Sequence, residues 1–186
     1  ALAPLLFWGI LSSSSRITHY ASRIIPLAGV LLIAGCTPNS GPQHALHSSL
    51  FDHVEIIGSR GVGVGQFNKP RSVAVDGQDN LYAVDMTGRI QKFSPSGTFL
   101  LSWQMPQTHL GKPKGMCRDR QGNIVVVEPH YQRVNQFSPD GRLRAQWGKF
   151  GTNAGEFTLP RAVAVNSHNE FYISEYTALE RVQQFR

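Results

Sequence analysis

The sequence is poor in cysteine and in charge, and each scarcity excludes a class of protein. Its 186 residues include two cysteines, too few for a disulfide framework and wrongly spaced for a zinc finger. Charged residues make up 16%, and a formal net charge of +6 is too mild to indicate a nucleic-acid-binding protein by itself. No apolar run reaches the roughly 20 residues that a membrane-spanning helix requires. Glycine and proline number 18 and 11, which is typical of short strands joined by turns.

The N-terminal part resembles the export signal of a bacterial lipoprotein. Residues 24–35 form an uncharged apolar run, and Arg16 and Arg23 supply a basic flank before it. The run ends in Leu-Ile-Ala-Gly-Cys, which resembles the lipobox, so the resemblance implies that Cys36 is acylated and becomes the new N-terminus. The alternatives are an ordinary signal peptide or a buried strand that ends in Gly-Cys. A second apolar run, residues 1–11, is not needed by a signal peptide and is set aside from the fold.

Three segments are therefore expected along the chain. Residues 1–35 are a signal peptide with an upstream extension, residues 36–50 carry the lipidated cysteine and a flexible linker, and residues 51–186 hold the folded part. This organisation predicts a protein of the cell envelope that faces the periplasm or the exterior. Its N-terminal acyl chains would hold it in the membrane, because each buried methylene contributes about 0.8 kcal/mol.

The remainder of the chain contains three copies of one pattern. Each copy has a proline and a short apolar segment, then a β-rich segment ending in an acid, then one that begins with arginine and ends with phenylalanine. The prolines, Pro70, Pro113 and Pro160, are 43 and 47 residues apart, a spacing that suits one four-stranded propeller blade per repeat. Ser-Pro-Ser-Gly at 94–97 and Ser-Pro-Asp-Gly at 138–141 are typical of type I turns that lead to a fourth strand.

This pattern closely resembles the NHL repeat, in which Gly-x-Phe leads to Pro-x-x-Val-Ala-Val-Asp, to a strand ending in Ala-Asp and to Arg-Ile-x-x-Phe. The resemblance covers residues 65–186 and implies an all-β fold, a β-propeller built of NHL-type four-stranded blades, with about three blades in this chain. The second copy departs from the pattern, since it lacks Gly-x-Phe and has Met-Cys-Arg where the others have Val-Ala-Val.

Three blades are too few to close a ring, because propellers typically have roughly 4–8 blades. The third copy stops after its third strand, and the segment from Phe51 to Ile57 stands in the place of a fourth strand. We therefore expect either a fragment of a six-bladed ring or a homodimer whose two chains close such a ring. The fragment is the preferred interpretation.

Three cations at one repeat position are the main candidates for a binding site. Arg71, Lys114 and Arg161 each follow the repeat's proline, where an inner strand begins at the rim of a propeller. Together they predict a cationic arc near the central channel that binds an anionic partner, such as an acidic glycan, a lipid head group or a nucleic acid. The alternative is that this position is simply exposed and accepts any long polar side chain.

Acid and arginine residues recur at a second repeat position. We interpret them as structural ion pairs that brace the loop between the second and third strands, since catalysis rarely needs equivalents in every blade. The pairs are Asp85 with Arg89, Glu128 with Arg133 and Glu175 with Arg181. Cys117 aligns with Ala74 and Ala164 and is interpreted as a packed residue rather than a nucleophile.

We expect a lipid-anchored extracytoplasmic binding module whose blades bind a protein, glycan or other anionic ligand. No catalytic residue, metal ligand or cofactor is assigned. The alternative is a propeller-type hydrolase or lyase with calcium or zinc in the central channel, such as the NHL-type peptidyl-amidating lyases. Those enzymes use zinc-binding histidines, one typically directly after the repeat's proline, whereas this chain has Arg71, Lys114 and Arg161 there.

Overall fold

The computed structural model describes residues 50–177 and 179–186. The predicted signal peptide, the lipidation site Cys36 and most of the linker lie outside the described residues. In the described part the secondary structure consists of strands and one short 3-10 helix, Pro129–Tyr131. No helix there is long and apolar enough to cross a membrane.

Three antiparallel sheets follow one another along the chain, and we call them blades 1, 2 and 3. Within each blade the strands pair in chain order. A short parallel pair precedes blade 1 and consists of β1 (Ser59–Arg60) and β2 (Gln66–Phe67). Blade 1 contains β3 (Pro70–Val75), β4 (Leu81–Asp85), β5 (Arg89–Phe93) and β6 (Phe99–Gln104). Blade 2 contains β7 (Met116–Arg118), β8 (Ile124–Glu128), β9 (Arg133–Phe137) and β10 (Leu143–Trp147). Blade 3 contains β11 (Pro160–Val165), β12 (Phe171–Glu175) and β13 (Val182–Phe185).

Two apolar clusters join the blades. The first lies between blades 1 and 2 and includes Tyr82 and Ile90, whereas the second lies between blades 2 and 3 and includes Ile173. Strand β8 contributes to both, with Ile124 in the first cluster and Val125 in the second, because successive side chains of a strand point to opposite faces. Burying each such side chain stabilises the fold by about 1.5–3 kcal/mol. The all-β propeller-blade fold that the repeats predict is confirmed.

The turns between the third and fourth strands close as their sequences indicate. The amide of Gly97 donates to the carbonyl of Ser94 at 2.9 Å, and the amide of Gly141 donates to that of Ser138 at 2.8 Å. Both glycines have positive φ, +75° and +86°, a conformation that strains any residue with a Cβ. The fourth strand of each complete blade follows directly.

The expectation of a strand from Phe51 to Ile57 is wrong. The structure assigns no strand to residues 51–57. Ile57 lies against the turn at Gly97 instead. The first strand pairing of the chain is that of β1 with β2.

Candidate functional site

Arg71 and Arg161 lie at matching irregularities of their inner strands. The pairing of β3 with β4 shifts between Pro70 and Ser72, so Arg71 is an extra residue in the ladder. The pairing of β11 with β12 shifts in the same way around Arg161. Such bulges re-aim a side chain. Both arginines are exposed at the start of an inner strand.

Contacts of blade 2 with both neighbouring blades place Lys114 near the two arginines. The amide of Met116 donates to Ser72 Oγ at 3.0 Å, which ties β7 to β3. On the other side, a Cβ built on Gly115 would lie 2.8 Å from the carbonyl oxygen of Arg161, so only glycine permits this approach of β7 to β11. The three strand starts, and the cations they carry, therefore meet at one rim.

The three cations are close enough to affect one another. Burial lowers the pKa of Lys114 below its ordinary value, and the positive charges of Arg71 and Arg161 lower it further. None of the three is in an ion pair with a described acidic residue. Their charge is therefore uncompensated within this part of the chain, and it creates a positive potential that an anion would relieve.

An aromatic ring adjoins the arc on blade 3. The guanidinium carbon of Arg161 lies 4.8 Å from the centroid of the Tyr176 ring, within the range of a cation–π contact. Tyr176 is 46% exposed, so the contact holds the arginine at the surface without burying it. The arc thus combines three positive charges with one accessible aromatic ring.

Each blade contains one ion pair between a buried carboxylate and the arginine near the start of its third strand. In blades 2 and 3 arginine Nε lies 2.6 and 2.8 Å from a glutamate oxygen, and in blade 1 arginine Nη2 lies 3.4 Å from the shorter aspartate. The carboxylate side chains are at most 1% exposed. The pairs are Asp85–Arg89, Glu128–Arg133 and Glu175–Arg181.

In blades 1 and 3 the ion pair also binds the loop that leads into the blade. In blade 3 arginine Nη2 donates to the carbonyl of Glu156 at 2.8 Å, and glutamate Oε1 accepts the amide of Thr158 at 2.7 Å. In blade 1 the same two bonds go to the carbonyl of Gln66 at 2.7 Å and the amide of Asn68 at 3.1 Å. We call this combination of an ion pair with a loop backbone a clasp.

The clasp shifts the ionisation of its carboxylate. Burial alone would raise the pKa of Glu175, but hydrogen bonds from Arg181, from the amide of Thr158 and from Gln183 outweigh burial and lower it. The carboxylate therefore stays ionised in a site with little access to water. Both oxygens of Glu175 accept hydrogen bonds from the chain's own groups, which agrees with the interpretation of this residue as part of a structural ion pair.

Blade 2 has the ion pair without the clasp, because its preceding loop is shorter. Pro113 follows Trp103 by 10 residues, whereas Pro160 follows Trp147 by 13. The missing three residues include the Gly-x-Phe turn. In the other two blades the arginine binds the carbonyl of the middle residue of this turn, and the acid binds the amide of the residue that follows its phenylalanine.

A methionine replaces the missing phenylalanine in the core. Phe157 of the Gly-x-Phe turn is fully buried between blades 2 and 3, where it contacts Phe185 with ring centroids 5.7 Å apart. Met105 is 2% exposed and lies in the equivalent cluster between blades 1 and 2. A flexible thioether adapts well to an irregular space in a core, which suits the place of the missing ring. Sequence reasoning missed this substitution, since Met105 stands in a different sequence register.

The polar contacts of the blade 2 pair differ accordingly. Arg133 Nη1 donates to the side-chain oxygen of Gln107 at 2.9 Å, and Asn135 Nδ2 donates to Glu128 Oε2 at 2.6 Å. Among the described residues, Glu128 Oε1 and Arg133 Nη2 are buried and have no hydrogen-bond partner. Leaving a buried polar atom without a partner lowers the stability of the fold by roughly 1–3 kcal/mol. A group that bonded to these two atoms would recover that loss.

A glutamine side chain at one repeat position also binds the loop of each clasp. Sequence reasoning did not predict this role. Gln183 accepts the amide of Gly155 at 2.8 Å and donates to the carbonyl of Glu156 at 2.8 Å. Gln91 holds the blade 1 loop in the same way. Blade 2 has the shorter Asn135 at this position. The alternation of glutamine and asparagine two residues after the arginine was the available signal.

Cys117 packs against the cluster between blades 2 and 3. Burial, with a smaller contribution from Asp119, raises the pKa of its thiol to about 12. A thiol with such a pKa stays protonated at neutral pH and is a poor nucleophile. Among the described residues, no group of three or more His, Cys, Asp or Glu side chains is arranged to hold a metal ion.

Asp76 organises the turn between β3 and β4. Burial alone would raise its pKa, but hydrogen bonds from the side chain of Asn80, from backbone amides and from Tyr82 lower it far below the ordinary value. Lys92 Nζ lies 3.3 Å from its carboxylate. In blade 3 the neutral Asn166 occupies this position and caps the turn with its own oxygen.

No family model matches the chain. It is 24% identical over 132 residues to the peptidylglycine alpha-amidating monooxygenase of Rattus norvegicus, an alignment covering 63% of this chain. The corresponding mouse protein is 25% identical over 129 residues. The chain spans 13% of the length of these curated relatives.

Solved structures with similar folds include bacterial proteins. A structural genomics protein of unknown function from Bacteroides thetaiotaomicron VPI-5482 has a TM-score of 0.50 and 21% identity, covering 57% of this chain and 30% of that one. Virginiamycin B lyase from Staphylococcus aureus has a TM-score of 0.47 and 16% identity, covering 62% of this chain and 40% of that one. At these identities the likeness to the first protein concerns the fold alone. The three successive antiparallel sheets give the described part of this chain the fold of β-propeller blades.

Proposed function

We propose that this chain is the blade region of a propeller that binds an anionic partner through the cationic arc of Arg71, Lys114 and Arg161. The observation that carries the proposal is the convergence of three cations on one rim, none in an ion pair with a described acid. Like charges held together raise the free energy of the unbound state. An anion at the arc removes that repulsion and gains from each of the three charges.

The arc favours an extended anion over a single small one. It draws one cation from each of three successive blades, so its charges follow the rim rather than enclose a point. The exposed ring of Tyr176 beside Arg161 adds an apolar surface at one end. Sulfated or carboxylated glycans offer both repeated negative charge and ring faces that stack on aromatic side chains.

We further propose that the blades are of the NHL type and are held at the cell envelope by acylation of Cys36, facing the periplasm or the exterior. The repeat pattern and the sequence Leu-Ile-Ala-Gly-Cys after an apolar run support these two proposals. Mass spectrometry of the native protein extracted from membranes tests the second. A cysteine at the N-terminus carrying acyl groups supports it, and an unmodified chain that retains residues 1–35 contradicts it.

A second candidate function is that of a propeller lyase, favoured by the sequence similarity to the amidating monooxygenase. The cations that follow the repeat prolines do not fit a metal centre, because arginine and lysine supply no lone pair to a metal at neutral pH. Stoichiometric zinc or calcium in the purified protein, measured by elemental analysis, would favour the lyase over the binding module.

Heparin chromatography of charge-matched variants tests the binding function. Replacing Arg71, Lys114 and Arg161 with serine removes the arc, and replacing three exposed cations elsewhere with serine removes the same charge. The control positions are Arg60, Arg120 and Arg144. We expect the arc variant to elute at clearly lower salt than the control variant, since local charge rather than net charge determines retention. Equal elution of the two variants would contradict the proposal.

A further inference from the structure

The ion pairs of blades 2 and 3 have the same internal geometry but different surroundings. Arginine Nε lies 2.6 Å from Glu128 Oε2 and 2.8 Å from Glu175 Oε2, so the same two atoms form each contact. The other carboxylate oxygen and Nη2 of the arginine can then form hydrogen bonds with groups outside the pair. In blade 3 the loop backbone uses both, and in blade 2 no described group uses either.

The two clasps show what such an ion pair binds. The accepting oxygen is Glu175 Oε1 in blade 3 and, in blade 1, Asp85 Oδ2, which also faces Arg89. In both complete clasps arginine Nη2 donates to the carbonyl of one loop residue. The carboxylate accepts a hydrogen bond from the amide of the residue two positions later. The carbonyl and amide belong to Gln66 and Asn68 in blade 1, and to Glu156 and Thr158 in blade 3. The ligand of such a pair is therefore a peptide backbone, recognised through its main-chain groups and not through a particular side chain.

We propose that the Glu128–Arg133 pair of blade 2 is a binding site for an extended peptide segment of a partner, which supplies the carbonyl and the amide that this blade's shorter loop does not provide. A simple anion does not suit the site, because it would satisfy Arg133 Nη2 but be repelled by Glu128 Oε1. A peptide carries a donor and an acceptor at the spacing that the clasps display, and it brings no net charge into a buried position.

Gln107 is the group that the peptide displaces. Its side-chain oxygen accepts from Arg133 Nη1 at 2.9 Å, in the place where blade 3 uses the carbonyl of Thr152 at 2.7 Å from Arg181 Nη1. Gln107 is exposed, so its side chain can leave the arginine without disturbing the core. Removing this competitor should therefore strengthen peptide binding, an effect opposite to that of losing a structural side chain.

NMR titration of the full chain tests the proposal. The probe is acetyl-Val-Gly-Val-Gly-Gln-Phe-Asn-amide, which copies residues 62–68 and so includes the carbonyls that Arg89 Nη1 binds in blade 1. The signal is the Nε–H resonance of Arg133, assigned with Arg133→Lys. We expect a saturable shift of this resonance. In Gln107→Ala the affinity should rise about tenfold, the equivalent of one competing hydrogen bond.

The matched control changes the peptide and leaves the protein intact. Methylating the backbone nitrogen of the peptide's asparagine removes the hydrogen that Glu128 accepts, and we expect binding to be lost. Equal binding of the methylated and unmethylated peptides would overturn the proposal, as would the absence of a saturable Arg133 shift in the unaltered protein. Because both comparisons use the unaltered protein, they stay decisive even if Gln107→Ala folds poorly.

Discussion

Blades 2 and 3 share a strand framework and differ in the loop that leads into each of them. In blade 3 the loop inserts Phe157 into the core and lays its backbone on the Glu175–Arg181 pair. In blade 2 a loop three residues shorter inserts Met105 and leaves two atoms of the ion pair unpaired among the described residues. Strand pairing and apolar packing thus define the blade, whereas the loop determines whether the second carboxylate oxygen and arginine Nη2 have partners.

The largest expected effect is the loss of the buried aromatic ring. Phe157→Ala should destabilise the protein by about 3–5 kcal/mol, because it leaves a cavity where a fully buried ring contacts Phe185. Met105→Ala at the equivalent place should cost less, about 2–3 kcal/mol, because the thioether is smaller and its neighbours adjust more easily. Urea unfolding of both variants measures the difference. A larger loss for Met105→Ala would contradict the view that Met105 takes the place of Phe157 in the core.

Removing the arginine should destabilise a blade that has a clasp more than a blade that has only the ion pair. Arg181→Ala should cost about 3 kcal/mol, because Glu175 stays buried without its cation and three loop carbonyls lose a donor. Arg133→Ala should cost about 1 kcal/mol less, since Arg133 donates to no loop carbonyl among the described residues. Unfolding midpoints of the two variants give the comparison. Equal losses would mean that the loop bonds add nothing.

The smallest effect concerns acid stability and contrasts blade 1 with blade 3. The pKa of Asp76 is lower in the folded protein than in the unfolded chain, where it is about 3.9. The stability that its carboxylate contributes is complete above the unfolded pKa and is lost as the pH falls toward the folded pKa. Asp76→Asn, which copies Asn166 of blade 3, should therefore flatten the loss of stability between about pH 5 and pH 2. An unchanged slope in urea unfolding across that range would rule out this contribution.

The sequence predicts the strands well because the repeat fixes their register. The segments 81–85, 89–93 and 133–137, taken from the acid and the Arg-to-Phe motif, coincide with β4, β5 and β9. Each is bounded by turn residues and packs on both faces, so local pattern and tertiary packing agree. The segment from Phe51 to Ile57 was expected to be a strand, and the structure assigns none there. It lies ahead of the three repeats, so the repeat register could not place it.

The clasps were beyond sequence reasoning for a physical reason. The ion pairs bind backbone carbonyl and amide groups, which nearly every residue has. No pattern of side chains therefore predicts which residues will be bound. The sequence identifies the charged pair and not the loop that completes it. The absence of Gly-x-Phe from the second copy and the change from Gln91 and Gln183 to Asn135 indicate that blade 2 differs, but neither identifies the bonds that form. The cationic arc, in contrast, could be proposed from sequence because its side chains share one repeat position.

Grafting the longer loop into blade 2 tests most directly whether loop length, and not the ion pair itself, sets this blade apart. In the graft, residues 104–112 are replaced by a copy of residues 148–159, which restores the Gly-x-Phe turn. We expect the free energy of unfolding to rise by about 2 kcal/mol, because Glu128 and Arg133 gain backbone partners. We also expect the Arg133 resonance to stop responding to the peptide probe. A folded graft with unchanged stability and an unchanged peptide response would contradict the account.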